Sequence, residues 1–232
     1  MTAPRSLARS AGALYLLMVI LGVFANLGVR LQVRVPGDAA ATVQNLTADP
    51  AIFRLALIAD IGMATAWVLV GTALYLLFRQ VDRHAIAILV FVAVGAGMIL
   101  TNLVLHQAAL LVATDPAFAA IASDELVLLL LDLHAHGYAL AGVFFGLWLL
   151  PIGYLGYRSG LLPKVLSFLV LIAGGAWIVE TLVGFAFPDL PDVVRAILEA
   201  PRFVEFGLLA YLLTRGVRTP DHGLLTPGQV DA

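Results

Sequence analysis

No cysteine occurs among the 232 residues, which excludes disulfides, thiolate nucleophiles, iron–sulfur clusters and cysteine zinc sites, and says nothing of compartment. Charge is scarce too. Only 12% of the residues are charged, against roughly 25% in soluble domains. With a net charge of −2 and a pI near 6.2, the chain has no basic footprint for nucleic acid. The sequence also lacks a Gly-x-Ser-x-Gly elbow, a Walker loop, a His-Glu-x-x-His pair and a dinucleotide fingerprint. Gly95-Ala-Gly97 lies inside an apolar run, without the strand a phosphate loop needs. What fills the chain is hydrophobic: 62% of it, with a mean hydropathy of +1.01. A domain of this size still exposes a large area, and this composition cannot cover it with polar groups. The chain is therefore read as a membrane protein. At about 20 residues per span there is room for six helices and no second soluble domain.

The fold class expected is all-α: a polytopic bundle of six transmembrane helices over residues 1–218, with short interfacial helices on the outer side. The spans run from about Leu7 to Val29, Ala51 to Phe78, Ala85 to Ala113, Glu125 to Tyr157, Val165 to Phe187 and Phe203 to Leu213. The first follows Arg5 and Arg9 as a signal peptide would, but its apolar run exceeds the about 7–15 residues of such a segment, so it is read as retained. Asp49-Pro50 supplies a cap and a first-turn proline for the second. Asp38 to Leu46 and Asp192 to Ala200 read as the interfacial helices. Residues 219–232 read as a disordered cytoplasmic tail. With both termini inside, the cytoplasmic side holds Arg5, Arg9, Arg79, Arg83, Arg158, Lys164, Arg215 and Arg218, and the outer side Arg30, Arg34, Arg54, Arg195 and Arg202. In the fourth span Gly142 and Gly146, with Gly137 and Ala141, carry the small-residue spacing that lets helices approach, and Pro151 predicts a kink.

Ionisable groups inside spans cost about 2.5–3.5 kcal/mol each at the helix centre, so each needs a reason. They are Asp60, His106, Asp132, His134, His136, Glu180 and Glu205, with Asn102 as an uncharged companion. Counted from the span ends, all sit in the outer half, and the inner half is almost purely apolar. Asp132 and His136 are four residues apart and share a face, with His134 opposite, and Asn102 and His106 share a face likewise. Two chemistries are open to such a set. His106, Asp132, His136 and Glu180 have the donor types to hold zinc or another divalent metal, and His106 with His136 could hold a haem. The plainer reading is a hydrogen-bonded network that packs helices or lines a ligand pocket. Taken singly, Asp60, Glu180 and Glu205 read as partners of Arg54 or Arg202. Trp67, Trp148 and Trp177 read as packing or belt residues, and His84 and His222 as solvated.

The fourth span and its exit also carry a pattern: Asp132-Leu133-His134 with Gly137, Phe144-Phe145-Gly146-Leu147, Gly153-Tyr154, Arg158-Ser159-Gly160 and Pro163. With Pro36-Gly37-Asp38-Ala39-Ala40 and Phe53-Arg54, it resembles a bacterial multi-pass membrane family known as domain of unknown function 4386. The resemblance extends from about Leu7 to Val217. It implies a six-helix protein of the bacterial cytoplasmic membrane, and it supplies no activity and no catalytic residue. It draws attention to Asp132 and His134, where the face argument pairs Asp132 with His136.

The function expected is that of a non-enzymatic membrane protein that binds, senses or helps transport a small ligand through a polar pocket in its outer half. Membrane lipid is the expected partner and no cofactor is expected. The alternatives are a metal-dependent hydrolase acting on lipid at the outer leaflet, and a haem-binding membrane protein. The uncharged inner half argues against a continuous polar channel.

Overall fold

The computed structural model describes residues 4–218, so the predicted tail, 219–232, lies outside the described residues. Among the described residues the fold is helical throughout, with no strand. Five helices are long and apolar enough to cross a membrane: α1 (Pro4–Val33), α3 (Pro50–Phe78), α4 (Ile86–Thr114), α5 (Asp124–Ser159) and α6 (Lys164–Ala186). Short helices α2 (Ala39–Ala48) and α7 (Asp192–Glu199) lie in the connections after α1 and α6, and α8 (Val204–Thr214) ends the fold.

The caps explain where the helices begin. The Asp38 carboxylate accepts the Ala41 amide at 2.9 Å, Asp49 accepts that of Ile52 at 3.0 Å just ahead of Pro50, and Ser123 accepts that of Leu126 at 3.1 Å. Each satisfies an amide that the first helical turn leaves without a partner. α5 breaks at Trp148. Pro151, three residues on, brings no amide hydrogen and crowds the carbonyl four residues before it, that of Leu147, so the predicted kink falls there.

The sixth predicted span is the exception. α8 has only 11 residues, about 16 Å of rise, half the hydrocarbon thickness of a bilayer. Pro201 cannot donate into a helix continuing from α7, and the chain takes a 3-10 turn over Ala200–Phe203 instead. α8 then packs along α1 and α6. Its end meets the start of α1, where Arg9 donates to the Thr214 carbonyl at 3.2 Å, and the turn between α5 and α6, where the Arg218 amide donates to the Leu161 carbonyl at 2.9 Å.

The helices form a ring in the order α1, α3, α4, α5, α6, α8, closed by α8 on α1. One end holds the short connections and the beginning and end of the described chain (the turn end). The other holds α2 and α7 (the loop end). A core around Trp67, Trp148, Tyr15 and Phe78 fills the ring, and a smaller one around Phe53, Leu110 and Leu131 sits toward the loop end. The small residues predicted to bring helices together do so. A side chain on Gly146 would run into the Gly174 carbonyl, and one on Gly142 would meet Thr181. The outward surface carries Leu55, Ile58, Val104, Val165 and Leu182, each more than half exposed, as lipid contact requires and water would not favour. The protein is an all-α polytopic membrane protein.

One irregularity lies within α1. Residues Phe24–Arg30 wind as a π-helix, flanked by α-helical turns. Arg30 closes this segment, and Arg34 follows one turn on.

Candidate functional site

The short last helix leaves its mark at the loop end. α8 closes the ring only over the turn-end part of the bundle, and above its first turn α1 and α6 are not bridged by a helix. A cavity of about 540 Å³ occupies this level between α1, α5 and α6. Its walls are Asn26, Arg30 and Arg34 from α1, then Leu131, His134, Ala135, Tyr138 and Ala139 from α5, and Trp177, Glu180, Thr181 and Gly184 from α6. Arg195 of α7 and Arg202 of the 3-10 turn complete it. The α5 contribution follows helical spacing: Leu131, Ala135, Tyr138, Gly142 and Phe145 form one stripe.

Trp177 and Phe145, with ring centres 5.3 Å apart, form the apolar base. Behind Trp177 the Glu205 carboxylate of α8 accepts from the indole N–H at 2.5 Å and from the Tyr15 hydroxyl, tying α6, α8 and α1 together. The Arg202 guanidinium lies 4.3 Å from the centre of the Trp177 ring and pairs with Glu180 at 3.6 Å and Glu199 at 3.1 Å. A cation over the indole face is attracted by the ring quadrupole. On the α1 side, Arg30 forms a two-pronged pair with Asp60, whose side chain is fully buried, and stands 5.6 Å from the Tyr138 ring centre. Arg34 gives its Nε–H to Asp132 at 2.6 Å.

The predicted site residues thus divide. His134, His136 and Glu180 line the cavity. Asp60, Asp132 and Glu205 stand behind it as partners of wall residues. Asn102 and His106 belong to a separate buried contact between α4 and its neighbours. Asn102 donates its amide to the His134 carbonyl at 2.7 Å, and His134 Nδ1 gives its hydrogen to the Asn102 carbonyl at 3.2 Å. His106 is wholly buried, stacks on Phe53 with centres 3.8 Å apart, and donates from Nε2 to the Phe53 carbonyl at 3.1 Å.

Three expectations need correction. The proposed metal set His106, Asp132, His136 and Glu180 does not converge. His136 is exposed, with Nδ1 on its own helix's Asp132 carbonyl at 2.8 Å and its ring near Phe185, whereas His106 faces Phe53 and His134. Among the described residues no group of three or more His, Asp or Glu is placed to hold a metal ion. The same divergence separates His106 from His136 as a pair of haem ligands. Finally, Asp60 pairs with Arg30 and not with Arg54, because α1 and not the exposed first turn of α3 brings a cation to its depth.

Sequence reasoning missed the arginines as wall residues, having used them to orient the chain and, at Arg54 and Arg202, as partners for span carboxylates; the Arg202–Glu180 pair does form. A signal was present. Twelve of the thirteen basic residues are arginine, and five of those arginines cluster at the loop-end connections. Arginine is favoured over lysine where a flat guanidinium must meet a carboxylate or phosphate through two hydrogen bonds.

Fold and cavity define the class: a polytopic α-helical membrane protein with an arginine-lined cavity in one half of its bundle. The family model of domain of unknown function 4386 matches residues 10–216, and the chain belongs to that family. No curated protein and no solved structure matches the chain.

Proposed function

We propose that the protein is a non-enzymatic binder of a small ligand, acting as a sensor or as part of a transport process, with the loop-end cavity as its binding site. The observation that carries this is the cavity itself. It falls within the about 300–1,000 Å³ of ordinary ligand pockets, and it sets a few polar groups over an aromatic base. The setting is the bacterial cytoplasmic membrane, with the turn end and both chain termini cytoplasmic. The eight basic residues at the turn end against five at the loop end support that orientation. A ligand then enters from the outer side or from the outer leaflet, and membrane lipid is the natural source of candidates. Ion pairs already engage Asp60, Asp132 and Glu180, and the imidazoles of His106 and His136 diverge. These contacts favour binding over metal-assisted hydrolysis.

Trp177 gives the test a built-in reporter, since Trp67 and Trp148 are fully buried in the core. A panel of brominated ten-carbon amphiphiles with neutral, cationic and anionic heads is titrated into purified protein below the micellar concentration. Bromine near an indole quenches its emission. Saturable quenching by at least one member is expected. Trp177→Phe should remove most of it, and Ala139→Phe, which puts a ring into the cavity, should weaken it. Quenching that only rises linearly for every head group, alike in all variants, refutes the reading.

A further inference from the structure

The cavity's uncommitted hydrogen-bond donors sharpen the identity of the ligand. Four arginines line it against one carboxylate, that of Glu180, which Arg202 already holds. Arg30 has spent both terminal nitrogens on Asp60, and Arg202 has spent both of its own on Glu180 and Glu199. Arg34 and Arg195 differ. Arg34 meets Asp132 only through Nε, which leaves Nη1 and Nη2 without a hydrogen bond among the described residues. Arg195 has no carboxylate partner among the described residues, and its one bond is a long one of 3.4 Å to the Pro188 carbonyl. Two guanidinium groups with open N–H groups lining one cavity are a donor set that carboxylates and phosphates bind.

The opposite character of the base limits the rest of the ligand. Trp177, Phe145 and Tyr138 offer hydrocarbon and aromatic surface, which a small inorganic anion cannot use. At about 30 Å³ for each water-sized group, the volume accommodates roughly 18 non-hydrogen atoms. That suits one alkyl or aryl chain with a small head.

Resting on the ligand-binding reading above, we infer that the cavity takes a single-chain amphiphile with a carboxylate or phosphate head, the head held by Arg34 and Arg195 and the chain laid against Trp177 and Phe145. A fatty acid and a single-chain lipid phosphate share this chemistry. The two guanidinium groups act on the head alone, so their removal changes head selectivity and leaves chain binding in place.

The experiment compares four probes by Trp177 quenching or by competition with it. They are brominated decanoate, brominated decyl phosphate, a brominated ten-carbon monoglyceride, and inorganic phosphate as a head without a chain. The two anionic amphiphiles should bind at least tenfold more tightly than the monoglyceride, and their affinity should fall as salt is raised. Whichever of the two binds more tightly tells carboxylate from phosphate. Arg195→Gln, which breaks no ion pair, should weaken both anionic probes about tenfold and leave the monoglyceride within about twofold, as a lost charge-assisted hydrogen bond predicts. Arg34→Gln should do the same, and Arg195→Lys should recover part of the loss. Equal binding of neutral and anionic chains overturns this inference while leaving the ligand-binding reading standing. Inorganic phosphate that competes at the concentrations of decyl phosphate also overturns it, in favour of a small-anion site. Failure of every probe overturns both readings.

Discussion

The buried pair of Arg30 and Asp60 offers the sharpest test of how the loop-end half is held together. The Asp60 side chain is wholly buried and that of Arg30 is only 10% exposed, so neither charge is relieved by water. Replacing Asp60 with Leu leaves the guanidinium without its carboxylate on a wall that also carries Arg34. Removal of one partner of a buried pair costs about 3–5 kcal/mol, much of it the penalty of the charge left behind. At about 1.4 kcal/mol per tenfold, that is about two to three and a half orders of magnitude in the unfolding equilibrium. The reciprocal change, Arg30→Met, should cost a similar amount by leaving the carboxylate unpaired. The two together remove both charges and keep the volume, so the double variant should return to within about 1 kcal/mol of the parent or exceed it. The assay is unfolding in mixed micelles of increasing SDS content, read by helix signal, for the four members of the cycle. Strict additivity, with the double variant as unstable as both losses combined, would refute the claim that the pair acts as one unit.

Three further outcomes follow from the geometry. Gly146→Val should destabilise the bundle by about 1–3 kcal/mol in the same assay, because its side chain meets the Gly174 carbonyl and Ile178, whereas Gly175→Ala, with open space around it, should be neutral. Glu205→Ala should remove the partners of Tyr15 and Trp177 and cost about 1.5–3 kcal/mol, with a changed Trp177 emission maximum. At the turn end, the His84 backbone amide, then its ring and the Arg158 guanidinium, hold the Asp82 carboxyl below its ordinary value of 3.8. A depressed folded-state value stabilises the fold above the unfolded value and loses that contribution as pH falls through the folded one. Thermal stability should therefore decline below about pH 4, and Asp82→Asn should show a shallower decline over that range.

Much of this structure could be read in one dimension because membrane helices obey simple rules. Asp49-Pro50 and Asp38 announced their helices, and the depth count singled out His134, His136 and Glu180, which line the loop-end cavity. Glycine spacing found the contact at Gly146. Two things were not readable. The order of helices around the ring is set by side-chain packing between segments distant in sequence, so nothing local told Asp60 to meet Arg30 and not Arg54, or kept His106 away from His136. The shortness of α8 was visible in principle, since only 13 residues separate Pro201 from Arg215. Its consequence was not, because a gap in a ring appears only once the ring is closed.

The π-helical segment of α1 has a consequence best put as a matter of chain length. A π segment amounts to one residue inserted into an otherwise regular helix. The π turn takes up that extra residue locally, so the turns on either side keep the register of a plain α-helix. A chain one residue shorter between Phe24 and Arg30 would therefore close the bulge, and Arg30 would still face Asp60 and Arg34 Asp132. A second deletion there has nothing left to absorb it: each residue turns an α-helix by about 100°, so everything beyond would face another side. Tyr15 and Met18 would keep their places in the core, and α1 would carry neither cation to the cavity.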